Sequence, residues 1–148
     1  MSYSPNFFNK QSSGSARSTI TNFQNGSGST LNKATLVSVN ASGFLVPTLV
    51  TSESLIQSIV GMTNVSIPSA AVGAVMDNGR LEDVTTSFAI GDALYLGKTG
   101  LLINTKPEIG VASFAEGDFV IFVGVVAKNE FNGSLKDIKL MISVIGQL

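Results

Sequence analysis

The sequence predicts an all-β fold, a small β-barrel or β-sandwich preceded by an extended N-terminal arm. Three observations carry this. From Leu36 onward, short apolar runs are broken repeatedly by Gly, Asn, Asp and Pro. That texture corresponds to roughly eight to ten short strands at even spacing. The run Phe119-Val-Ile-Phe-Val-Gly-Val-Val126 is apolar on both faces and rich in β-branched and aromatic residues, as a buried central strand must be. Residues 1–33 differ in kind: stretches such as Gln11-Ser-Ser-Gly-Ser15 and Asn25-Gly-Ser-Gly-Ser-Thr30 bury little and bend easily. The expected division is an arm over 1–33 and a β domain over 34–148.

Within the domain, Ala34–Val39 and Phe44–Val50 flank the turn signal Asn40-Ala-Ser-Gly43 and read as a hairpin. Pro47 has no N–H, which puts its strand at an edge or at a bulge. Thr51–Val60 is ambiguous. Leu55, Ile56, Ile59 and Val60 behind Thr-Ser-Glu suit a short helix, but Ile59-Val-Gly-Met62 and the surrounding β texture favour a strand. Val65–Ile67 and Val72–Met76 follow, with a turn at Asp77-Asn-Gly79 and a strand from Arg80 to Val84. Ala93–Leu96 and Leu101–Ile103 flank Gly97-Lys-Thr-Gly100, and Ile138–Ile145 is the last strand.

The arm carries Tyr3, Phe7, Phe8, Ile20 and Phe23 among its polar residues, together with Lys10, Arg17 and Lys33 and no acid. It reads either as a loose tail with incidental aromatics or as a segment that orders against a neighbouring subunit. On the second reading Tyr3, Phe7, Phe8, Arg17, Ile20 and Phe23 are its partner-binding residues, because aromatics are the usual anchors of interfaces and such segments fold on binding. Charge divides with composition: residues 1–52 sum to +3 and residues 53–148 to −4, for a net −1.

Charged residues make up 13% of the 148, against about 25% in an ordinary soluble domain, and the mean hydropathy is +0.36. Such a surface tends to associate. His, Cys and Trp are absent. No His base, Ser-His-Asp or Cys-His nucleophile, disulfide, or His- or Cys-bound metal can be built from this chain. The near-neutral charge argues against nucleic acid, which demands a basic excess. No apolar run approaches the ~20 residues of a membrane helix, and the first residues lack the pattern of a secretory leader. Phe7-Phe8 lacks the basic amphipathic helix that accompanies a membrane wedge.

Other motifs read as structural. Phe88-Ala-Ile-Gly-Asp92 and Phe114-Ala-Glu-Gly-Asp118 repeat one pattern ahead of an apolar strand. Gly permits a tight corner and Asp can accept a nearby backbone N–H. Calcium ligation by Asp92, Glu116 and Asp118 would need a dense oxygen cage that these loops lack. Glu82 and Asp83 cannot act as a carboxylate pair, since adjacent strand residues face opposite ways, and they read as exposed loop acids. Arg80 reads as a surface ion pair with one of them. Gly97-Lys98-Thr99 fails as a phosphate loop because position 92 is Asp and the context is a hairpin. No catalytic, cofactor or metal residues are therefore expected, and the chain does not read as an enzyme.

The stretches Gly79-Arg-Leu-Glu-Asp-Val84, Phe88-Ala-Ile-Gly-Asp-Ala-Leu-Tyr-Leu96, Thr105-Lys-Pro-Glu-Ile-Gly110, Gly117–Val126 and Ile145-Gly-Gln-Leu148 resemble small tailed-phage virion proteins. The likeness is to capsid decoration, or cement, proteins and to the β-rich modules of phage head fibres, and it covers about residues 55–148. The resemblance implies a compact β-barrel or β-tulip, often a homotrimer. It implies a protein made in the host cytoplasm that sits on the virion, on the outer capsid where several major capsid subunits meet. The expected function is that of a structural virion protein that stabilises the shell by bridging its subunits, the arm contacting neighbours. The expected partners are the major capsid protein or other virion subunits, with no nucleic acid, membrane or cofactor. The alternatives are a tail, baseplate or head-to-tail connector component, and a receptor- or glycan-binding β module.

Overall fold

The structure, a computed structural model, describes residues 20–148. Tyr3, Phe7, Phe8 and Arg17 of the expected arm lie outside the described residues. The chain forms β1 (Ile20–Gln24), β2 (Leu36–Val39), β3 (Leu45–Pro47), helix α1 (Glu53–Gln57), β4 (Ile59–Thr63), β5 (Val72–Met76), β6 (Gly79–Val84), β7 (Ala93–Leu96), β8 (Leu102–Ile103), β9 (Phe119–Lys128) and β10 (Lys136–Gln147). These make two antiparallel five-stranded sheets, ordered β1-β5-β4-β2-β3 and β6-β10-β9-β7-β8. Of the two architectures expected, the sandwich is the one formed; among the described residues neither sheet closes into a barrel. The first sheet does curl, so that Asn25, just beyond β1, bridges Leu45 of β3.

Alternation along the strands explains the high hydropathy. Leu36 and Met76 point into the core shared by the sheets, among Leu81, Leu94, Leu96, Ile121, Val123 and Ile138. Their neighbours Val37 and Val75 point the other way, into a second core with Leu31, Leu45 and Ile67. Successive strand residues face opposite sides, so a sheet with two buried faces must be apolar at almost every position. Leu31 and Ile67 exchange both backbone hydrogen bonds, at 2.9 and 2.8 Å, which holds this pair over the first sheet. Gly73 makes room for it: a Cβ there would lie 2.4 Å from Ile67 Cγ1.

Three expectations need correction. The boundary at residue 34 falls inside the fold, because β1 pairs with β5 from Ile20↔Met76 to Gln24↔Val72 and Leu31 is a core residue. Ile20 and Phe23 are thus strand residues of the domain. Thr51–Val60 is not one strand. Ser52 caps α1 by accepting from the Leu55 N–H, the helix buries Ile56, and β4 begins only at Ile59. The Ser-Glu start supplied a helix cap that outweighed the β-rich surroundings. Glu82 and Asp83 lie in strand β6 rather than a loop, and Asp83 adopts a left-handed φ of 62° beside a register shift in the β6–β10 pairing. As expected, β3 with Pro47 is an edge strand, and β9 is the central strand of its sheet.

Candidate interaction surface

The β9–β10 hairpin is anchored at its base by a buried polar network. Asn129 and Asp137, both buried, join through an Asn129 Nδ2–H to Asp137 Oδ1 hydrogen bond of 2.9 Å. The same amide reaches Asp83 Oδ1 at 2.7 Å, and Asp137 also accepts from the Asp83 N–H. Arg80 Nε lies 2.7 Å from Asp137 Oδ2 and supplies the opposite charge. Lys33 Nζ donates to the carbonyls of Glu82 and Asp83, tying the network to the other sheet's connection. Burial pushes the Asp137 carboxyl up, but Arg80, the Asp83 N–H and Asn129 together outweigh it and hold the group below its ordinary value. Arg80 therefore pairs with Asp137, far along the chain, and not with Glu82 or Asp83.

On the other side Asn129 shapes the hairpin tip. Its Oδ1 accepts from the N–H groups of Phe131 and Asn132, at 2.9 and 2.8 Å, and Asn132 in turn accepts from Ser134. The outcome is a hydrogen-bonded loop that presents Phe131 at 98% exposure. An aromatic ring left in water on a hydrogen-bonded loop is a candidate interface anchor, because the backbone that carries it has little freedom left to lose on binding.

The Phe-Ala-x-Gly-Asp pattern proves to be a repeated corner. In each copy the Asp carboxylate accepts the Ala N–H three residues earlier, Ala89 to Asp92 at 3.0 Å and Ala115 to Asp118 at 2.9 Å. The Asp N–H closes the turn onto the same Ala carbonyl, and the Gly has positive φ, 93° at Gly91 and 95° at Gly117. Asn104 also donates to Asp92 and, with the Ala89 N–H, lowers its pKa. Asp118 is buried, which raises its pKa, but Lys98 and the Ala115 N–H more than reverse this. The corners lift Ile90 and, on the neighbouring Glu108–Val111 turn, Ile109 into solvent.

Ile20 and Phe23, the two described residues of the expected binding set, are separated by their strand. Ile20 is exposed on β1, while Phe23 lines a shallow groove of about 420 Å³ with Thr21, Ile59, Val60 and Ile142. Among the described residues, no three Asp or Glu side chains converge as metal ligands. Asn129 and Phe131 were missed in the sequence. The available signal was an aromatic inside Asn129-Glu-Phe-Asn-Gly133, a turn-forming run where a large apolar residue has no packing reason to be. No known family profile matches the chain, and no curated protein is significantly similar to it.

Proposed function

We propose that this chain is a structural virion subunit that binds the outer surface of a phage capsid and stabilises the shell by bridging its subunits. The observation that carries the reading is Phe131, wholly exposed on a loop fixed by Asn129 and Asp137. Further large apolar side chains stand in water around the domain, on loops at Ile90, Leu101 and Ile109 and on strands at Val72 and Ile145. Single exposed apolar residues are ordinary; a hydrogen-bonded loop presenting a bare aromatic is not. The low charge and the family resemblance of residues 55–148 point the same way. A protein that binds an assembled lattice and not its separated parts stabilises the lattice by mass action. The test is the copy number in native particles, together with binding of purified protein to bare shells. The proposal expects a copy number near that of the shell protein and saturable binding. A count of six to eighteen per particle would instead select a tail or connector part, and binding to a glycan array without binding to shells would select a receptor module.

A further inference from the structure

Every sheet edge is a row of unpaired N–H and C=O groups, and folded proteins block such edges with charge, proline, bulges or short strands. Three edges here are blocked in that way. β3 ends in Pro47, β8 has two residues, and β6 carries Arg80, Glu82 and Asp83 and the bulge at Asp83. Two are not. β1 pairs with β5, its far side meets β3 only just beyond the strand at the Asn25–Leu45 bridge, and Ile20-Thr-Asn-Phe-Gln24 has no charge and no proline. β10 pairs with β6 only from Lys136 to Leu140, so Met141–Gln147 has β9 on one side and no strand on the other among the described residues. That stretch, Met-Ile-Ser-Val-Ile-Gly-Gln, is likewise uncharged, with Met141, Val144 and Ile145 exposed.

We propose that these two open edges are the two halves of one interface between copies of this chain: β1 of one copy adds to the Met141–Gln147 edge of β10 in the next. This deepens the reading of the chain as an assembling subunit and rests on it. The occupant is a second copy because the edges match in the properties that normally forbid pairing. Both lack charge, both lack proline, and they are of similar length, five residues against seven. Pairing of unlike edges fits better than pairing of β10 with itself. β10 is irregular against β9 between Leu140 and Ser143 and again between Val144 and Gly146. A two-fold pairing would set irregularity against irregularity, whereas β1 keeps an unbroken register along its length. The β1–β10 contact would cover Ile20 on one side and Met141, Val144 and Ile145 on the other.

The absence of native cysteine makes a clean test. Asn22→Cys and Ser143→Cys, both at exposed positions, are made in separate chains, each expressed alone and the two co-expressed. The purified proteins are treated with a short bis-maleimide, with no shell present. The expected result is a cross-linked dimer from the co-expressed pair and none from either variant alone. Cross-linking of either variant with itself, or no cross-link in any sample, would overturn the proposal. A second variant, Val144→Lys, should convert the assembled protein to a monomer by light scattering with an unchanged β circular-dichroism spectrum; continued assembly would count against it. Because no shell is used, failure here leaves the shell-binding reading standing, and failure of shell binding leaves this one standing.

Discussion

Val126 on β9 and Leu148, one residue past the end of β10, occupy equivalent places beside the two corners. Val126 accepts the Gly91 N–H at 2.8 Å and donates to the Asp92 carbonyl at 3.0 Å; Leu148 accepts the Gly117 N–H at 2.6 Å and donates to the Asp118 carbonyl at 2.8 Å. Each Phe-Ala-x-Gly-Asp corner is thus a turn, an Asp-closed loop and a two-bond clamp on the adjacent strand. The first corner starts β7 against β9, and the second starts β9 toward the end of β10. The internal echo in the sequence is a repeated device for launching a strand in register.

The two corners differ in burial, and this predicts different costs of removal. Asp118 is buried and faces Lys98, whereas Asp92 is half-exposed and shares its carboxylate with Asn104. Asp118→Ala leaves the Ala115 N–H and the Lys98 ammonium without their acceptor and empties a buried carboxylate site. The expected loss is about 2–3 kcal/mol, or a fall in Tm of roughly 6–12 °C for a domain of this size. Asp92→Ala should lower Tm less. Equal shifts in a thermal melt would contradict the role of burial.

Acid should unfold the protein through the same carboxylates. Asp118 and Asp137 are held below their ordinary pKa in the folded chain, and Asp92 is shifted the same way. A depressed folded pKa means that the unfolded chain binds protons more readily. The stabilisation is therefore complete above the unfolded value of about 3.9 and is lost as pH falls through the folded values. Denaturant midpoints should be flat from neutral pH down to about 5 and then drop steeply. The Asp118→Asn, Asp137→Asn double variant should be less stable at neutral pH and show a shallower acid slope. An unchanged slope would place the acid sensitivity elsewhere.

Gly124, in the middle of β9, tests how tightly the second sheet is closed. A Cβ at this position would lie 2.1 Å from the Lys139 carbonyl oxygen of β10, an obstruction by backbone that no side-chain rotation relieves. Gly124→Ala must push β10 away from β9 where Gly124 pairs with Leu140. The expected cost is about 3 kcal/mol or more, seen as low soluble yield or a strongly reduced Tm. Gly133→Ala, in the hairpin tip with open space around it, is the control and should melt like the parent.

Much of the fold was legible because it is local. The β9 run announced a strand buried on both faces, Pro47 announced an edge, and the Gly-Asp corners announced turns. The helix at Glu53–Gln57 was readable in its cap but was outvoted by apolar neighbours that belong to β4. The arm boundary was misplaced because Gly, Ser and Asn between β1 and Leu31 suggest a linker, while Asn25 is in fact buried and donates to the carbonyls of Ser29 and Ile67. The Arg80–Asp137 pair was out of reach of any local reading. Glu82 and Asp83 are nearer in sequence, and only the β6–β10 pairing decides which acid meets Arg80.

Phe131 carries the functional reading and is also the easiest residue to test without disturbing the fold. At 98% exposure it packs against almost nothing, so Phe131→Ala should change stability by no more than about 0.5 kcal/mol. A buried aromatic anchor at an interface is worth about 2 kcal/mol or more, which is roughly a 30-fold loss of affinity. Binding of the variant to bare shells, measured by co-sedimentation, should weaken by at least that factor while its melt matches the parent. Asn129→Ala should weaken binding by a different route, because it frees the Phe131 and Asn132 N–H groups and loosens the loop that presents the ring. It should also cost stability by breaking the bonds to Asp83 and Asp137. Full shell affinity in Phe131→Ala would remove the anchor and with it the observation on which the proposed function rests.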